Sequence, residues 1–217
     1  MKVLIVAATE GEISPLVQHI ASPAYANRDI GILITGVGMV ATTYALTKKL
    51  QRAQYDLVIQ AGVGGSFDTG IALGEVVFIT SDQYGDLGAE DHDEYIDIFE
   101  MGLLSTGAPP HNGGKLLTPM LPVHDRIKLR HVSGLTINTV SGSIPTIKRR
   151  LNKYGCAVES MEGAAFHYVC LMEEVAFAQV RGISNYVIPR DKSQWKMKDA
   201  VVNLNKWLVE FIDNLND

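Results

Sequence analysis

Much of what would classify this chain at a glance is missing from it. Only two cysteines occur in 217 residues, Cys156 and Cys170. They make neither a Cys-x-x-Cys pair, nor a metal-ligand spacing, nor a disulfide framework. Both are expected to be small, buried apolar residues in a reducing compartment. No stretch approaches the roughly 18 apolar residues of a membrane span. The apolar run Val3–Ala8 is short for a signal peptide, and acidic residues follow it at once. A cytoplasmic setting without membrane contact is therefore expected.

Positive charge is also scarce. Lys and Arg number 19 against 24 Asp and Glu, a formal net charge of −5. The densest basic run, Lys148-Arg149-Arg150, reads as a solvated helix face. Nucleic acid is a poor partner, because a phosphate backbone demands clustered cations. In the acidic run Glu90-Asp91-His92-Asp93-Glu94 the histidine adjoins the carboxylates instead of standing at ligand spacing. That run reads as a solvated loop, and no metal is expected. No Ser/His/Asp arrangement stands out, and His167 reads as a packing residue.

What is present is apolar sequence in a telling order. Apolar types make up 47% of the chain, enough at this length for one large core without metal or disulfide. A single domain over residues 1–217 is expected. Lys2–Ala8, Ile30–Thr35, Asp56–Ala61, Val76–Thr80, Leu135–Val140 and Phe177–Gly182 read as buried strands. Helical patterns cover Val40–Arg52, Ile144–Tyr154 and Met161–Glu173. A last helix carries Val201, Leu204, Leu208, Phe211 and Leu215 on one stripe. The alternation predicts an α/β fold, a three-layer α/β/α domain around a mostly parallel mixed sheet. One segment breaks the pattern. Ser81–Arg130 holds Pro109, Pro110, Pro119 and Pro122, and a connection this long is a lid, a subunit contact or partly disordered.

In such sheets ligands bind at the carboxyl ends of the strands. Four junctions there carry unusual residues. Thr9-Glu10-Gly11-Glu12 fits a helix capping box, and Glu12 equally fits a base that activates water. Gly62-Val63-Gly64-Gly65 reads as a plain turn or as a place where backbone approaches a ligand. It matches neither the dinucleotide fingerprint nor a P-loop. Val158-Glu159-Ser160-Met161-Glu162-Gly163 leads an apolar run into a helix. Glu162 there could favour the helix dipole or accept hydrogen bonds from the two vicinal hydroxyls of a ribose. Ser184-Asn185 closes the last strand.

Taken together, these residues resemble the purine nucleoside phosphorylases and nucleosidases of the phosphorylase-I fold, along the whole chain. Met1–Ile13 is similar to the start of methylthioadenosine/S-adenosylhomocysteine nucleosidases. Thr35-Gly36-Val37-Gly38 and Gly62-Val63-Gly64-Gly65 match two glycine-rich loops of the superfamily, and Val158–Ala165 matches its Met-Glu ribose motif. Arg181–Asn185 falls on the purine-holding segment. The resemblance implies Glu12 as the water-activating base, Glu162 and Met161 at the ribose, Gly64 and Gly65 as backbone that approaches the nucleoside, and Ser184 and Asn185 at the base. It also implies a small purine nucleoside as ligand, no cofactor, and a homodimer in which Ser81–Arg130 meets the neighbour.

Two departures refine the expectation. Adenine-cleaving members carry Asp where this chain has Asn185. A 6-oxopurine with a proton on N7 offers a donor and the O6 acceptor, which a carboxamide complements and a carboxylate does not. Phosphorylases hold their anion with arginines near the glycine loops, and no Arg adjoins either loop in this sequence, so water is the expected nucleophile. A 6-oxopurine nucleosidase is the reading, with Arg190 either the cation for an acidic 5′ substituent or a surface partner of Asp191 or other nearby acids. The rivals are an adenine nucleosidase that tolerates Asn185, a phosphorylase, and a non-catalytic nucleoside-binding protein, which would not need Glu12.

Overall fold

The apolar run Val3–Ala7 forms the first strand, β1, and every residue of it is buried, as a strand covered by helices on both faces must be. The computed structural model describes residues 1–92 and 94–216. Along them the chain runs through β1, α1 (Glu10–Ile20), β2 (Ile30–Ile34), α2 (Met39–Leu50), β3 (Leu57–Ser66), β4 (Val76–Asp82), β5 (Gly88–Asp91), β6 (Glu94–Asp97) and β7 (Leu116–Leu117). It continues through β8 (Arg130–Thr136), α3 (Ile144–Tyr154), β9 (Val158–Ser160), α4 (Gly163–Met172), β10 (Phe177–Tyr186) and α5 (Met197–Asp213).

All but β5 and β6 join one mixed, mostly parallel sheet of eight strands. β1 lies between β2 and β3, and β3 continues into β10, all in parallel. β4 is antiparallel to β10 but parallel to β8, which is parallel to β9. The end of β3 also pairs with β9, so the sheet curls back upon itself around β3. On one face Ile13 and Leu16 of α1 and Leu204 and Leu208 of α5 pack against Ile5, Ile59 and Val180. On the other, Leu46 of α2 and Phe166 and Val169 of α4 meet Leu4, Val6 and Val58. This is the expected α/β/α layering. Cys156 and Cys170 are buried, as expected, and desolvation raises both thiol pKa values.

Several local expectations change. β8 occupies Arg130–Thr136, earlier than the apolar run Leu135–Val140 suggests. Beyond Thr136 the N–H groups of Asn138 and Thr139 turn to the Asp86 carboxylate, and that of Ser141 to Glu159, so the backbone leaves the ladder. The glycines 62, 64 and 65 lie inside β3 rather than in a turn after it. Arg150 is not solvated. It is 5% exposed and donates to the Thr139 carbonyl, Ser141 Oγ and Glu159. The acidic run is part of the β5–β6 hairpin, apart from Asp93, which lies outside the described residues. α3 anchors it through Arg149–Glu90 at 3.3 Å and Lys153–Asp97 at 3.6 Å.

Candidate active site

The carboxyl ends of β1, β3 and β10 open into a cavity of about 480 Å³, within the range of small-molecule sites. Glu12, Gly64, Gly65, Met161, Glu162, Ser184 and Asn185 all line it. The structure thus gathers every residue singled out from the sequence except Arg190.

Glu12 shows that its two readings are compatible. One carboxylate oxygen, Oε2, accepts from the Thr9 N–H at 2.9 Å and Thr9 Oγ1 at 3.1 Å, completing a capping box for α1. The other, Oε1, accepts from the Val63 N–H at 3.1 Å. The cap therefore fixes the carboxylate against the glycine strand, at the edge of the cavity.

Glu162 precedes α4 and is 5% exposed. The Gly38 N–H donates to its Oε1 at 3.1 Å, and Arg181 Nη1 lies 3.3 Å from its Oε2. Gly38 caps α2 at a φ of 92°, a backbone conformation that favours glycine. The second glycine loop thus reaches the site through one amide.

Arg181, which the sequence alone did not single out, is 1% exposed. Besides Glu162 it donates to the Val63 carbonyl at 3.2 Å and, through Nε, to Gln179 Oε1 at 3.0 Å. Its Nη2 is buried without a partner among the described residues, an unusual state for a charged donor. The absence of an Arg beside the glycine loops holds in sequence but not in space. A Cβ on Gly62 would stand 2.6 Å from Arg181 Nη1 and 2.9 Å from Glu12 Oε1. β10 delivers the cation because Arg181 and Gly62 are register partners.

The β3–β10 ladder then slips, pairing Ile183 with Gly64 but Asn185 with Gly65. This irregularity re-aims the strand end, as bulges beside functional sites do. A Cβ on Gly65 would meet Asn185 Nδ2 at 3.1 Å, so the glycine makes room for the carboxamide. The Tyr186 carbonyl can only accept, which orients Nδ2 toward it at 3.0 Å. Oδ1 then accepts from Ser184 Oγ at 2.8 Å. One amide hydrogen and one oxygen lone pair remain for a ligand.

Apart from Thr9, Glu159 and Ser160, the rest of the wall is apolar. Ile137, Val140, Trp195, Met197 and Val201 supply it; none of them was read as a site residue, since each looks like ordinary core or loop sequence. Arg190 is exposed and does not line the cavity. Its guanidinium lies 5.6 Å from the ring centroid of Trp195, which does. Asp191 is not its partner, being bonded to Ser193 and Gln194. His167 stays out of the cavity, fully buried with both ring nitrogens bonded. Among the described residues no cluster of three His, Cys, Asp or Glu side chains is placed to hold a metal.

Residues 2–213 match the phosphorylase superfamily, and the chain belongs to it. Within that class it is similar to futalosine hydrolase of Thermus thermophilus, with 30% identity over 171 residues, 78% of this chain and 75% of the relative. In fold it is similar to futalosine hydrolase of Helicobacter pylori, at a TM-score of 0.80 and 18% identity, covering 99% of this chain and 98% of that one. The 5′-methylthioadenosine/S-adenosylhomocysteine nucleosidase of the same organism, solved with butyl-thio-DADMe-Immucillin-A, gives a TM-score of 0.82 at 17% identity, over 99% of both chains. Both activities share this fold, so side chains in the cavity must decide between them.

Proposed function

We propose that this protein hydrolyses the N-glycosidic bond of a 6-oxopurine nucleoside, with futalosine as substrate and hypoxanthine as the released base, in menaquinone biosynthesis. The observation that carries the reading is the Asn185 carboxamide in the cavity, held by Tyr186 and Ser184. Its free lone pair suits a protonated N7 and its free N–H suits O6. An aspartate would serve a 6-amino group instead.

In this reading Glu12 accepts a proton from water as the oxygen joins C1′. The Glu162 carboxylate accepts from the ribose hydroxyls, and Met161 packs on the sugar. Arg181 Nη1 donates to Glu162 Oε2 and fixes that carboxylate beside the sugar. As the bond to the base breaks, the ribose gains oxocarbenium character that the two carboxylates stabilise. N7 of the departing base takes its proton from solvent, and Asn185 Oδ1 accepts from that N–H on the other side. Two carboxylates against one guanidinium leave the centre net negative, which favours water over phosphate as nucleophile. Trp195 and Met197 suit an aromatic 5′ substituent, and Arg190 over Trp195 suits its carboxylate.

A cytoplasmic homodimer completes the reading. Leu103 and Met120 of the long connection and Val40 and Tyr44 of α2 are exposed apolar side chains, of the kind a neighbouring copy covers. The activity is tested by incubating the protein with futalosine, aminofutalosine, methylthioadenosine and inosine, with and without phosphate. Hypoxanthine from futalosine, independent of phosphate, is expected. Cleavage that requires phosphate would make the protein a phosphorylase.

A further inference from the structure

Below the cavity a buried polar chain runs into the core. Asp82, Thr136, His167, Gln179 and Arg181 are each no more than 1% exposed, and they come from β4, β8, α4 and β10. Buried polar groups in such number need a reason.

The hydrogen bonds of this chain have only one consistent polarity. Arginine cannot accept, so the oxygen of the Gln179 carboxamide faces Arg181 Nε, at 3.0 Å. Gln179 Nε2 must then spend both hydrogens on the other side, on Asp82 Oδ2 at 3.0 Å and His167 Nε2 at 2.9 Å. His167 Nε2 therefore accepts, and its Nδ1–H donates to the Leu116 carbonyl at 3.0 Å. Asp82 Oδ1 accepts from Thr136 Oγ1 and the Gln83 N–H, both at 2.8 Å. Space has been cleared for the arrangement. A Cβ on Gly163, the residue after Glu162, would fall 2.1 Å from Asp82 Oδ2, and one on Gly134 would fall 2.6 Å from the same atom.

We propose that Gln179 is a positioning residue: Asp82 and His167 lock its carboxamide so that the oxygen aims the Arg181 guanidinium at Glu162. Without that acceptor Nε would become a second unpartnered donor beside Nη2, and the side chain would be held through Nη1 alone, on Val63 and Glu162. The proposal rests on the role given to Arg181 in the hydrolysis.

The test compares Gln179→Met, which keeps volume and removes both functions, with Asp82→Asn, which presents a donor to Gln179 Nε2 and forces the carboxamide to turn. Each variant is expected to lose about 10- to 100-fold in kcat, the scale of a hydrogen bond to a charged group. Affinity for free hypoxanthine, which depends on Asn185, should change less than about twofold. In an Arg181→Lys background the kcat loss from Gln179→Met should largely vanish, because residues acting as one unit are not additive. Wild type, Gln179→Met, Arg181→Lys and the double variant are compared in urea unfolding, where the two substitutions should again be non-additive whether or not the wild type cleaves a nucleoside. Additive effects on stability would overturn the link between Gln179 and Arg181. Equal losses of kcat and hypoxanthine affinity would overturn its positioning role. A wild type that releases no base would instead remove the functional reading while the unfolding comparison still judged the link.

Discussion

Glu12 Oε1 and Arg181 Nη1 meet over the bare Cα of Gly62, close enough that one added methyl group would touch both, at 2.9 and 2.6 Å. A carboxylate and a guanidinium from opposite ends of the chain are juxtaposed because β3 lies between β1 and β10 and presents no side chain there.

Gly62→Ala follows directly. Its φ is unremarkable, so the fold should persist, but the methyl must push both groups aside. A displacement of about 1 Å at such a centre costs on the order of 100-fold. Steady-state kinetics should give that loss in kcat with an unchanged circular dichroism spectrum.

Asn185→Asp tests base recognition. The carboxylate keeps the acceptor but loses the N–H, leaving O6 of a 6-oxopurine unmatched. A buried unpaired group costs about 1–3 kcal/mol, so the ratio of kcat/KM for inosine over adenosine should fall by at least about fivefold. An unchanged ratio would mean that the amide does not contact the base.

Arg190→Ala tests the rim of the cavity. The KM for futalosine should rise several-fold while that for inosine, which lacks the acidic 5′ group, stays the same. Equal changes for both nucleosides would remove Arg190 from substrate recognition.

Two buried groups set the pH dependence of stability. Desolvation pushes the His167 pKa down to about 3 from 6.5, so the unfolded chain binds a proton first and this contribution is lost as pH falls from about 6.5 toward 3. Desolvation pushes the Asp82 pKa up to about 6 from 3.8, although its hydrogen bonds with Gln179 and Thr136 oppose this. There the folded chain binds the proton first, and stability is lost as pH rises through about 6. Between about pH 6 and 4 the two nearly cancel. Below pH 4 the loss from His167 remains. In His167→Gln, whose carboxamide can make both bonds, only the Asp82 contribution survives. Urea midpoints for that variant should therefore rise on acidification from pH 6 to 4, where those of the wild type change little.

The sequence displayed the framework better than the centre. Helix periodicity placed α3 at its observed bounds, and apolar runs located β1, β2 and β10. The glycine cluster read either as a turn or as backbone that approaches a ligand, because glycine serves both. Here it continues β3, since Gly64 and Gly65 must clear Val158 and Asn185 on either side. Arg181, Gln179 and Asp82 carried no local signal, because strand register alone brings them together. A hint did exist: Gln179 and Arg181 alternate within the otherwise apolar stretch from Phe177 to Ile183, and buried polar residues at that period share one face. Glu12 was ambiguous for a sound reason, as the capping box is also what holds its carboxylate in place.

The most direct test is competition. An equimolar mixture of futalosine and aminofutalosine, without phosphate, is given to the protein at limiting turnover, and the free bases are separated and counted. The account predicts that hypoxanthine appears in large excess over adenine. Adenine in excess would contradict it.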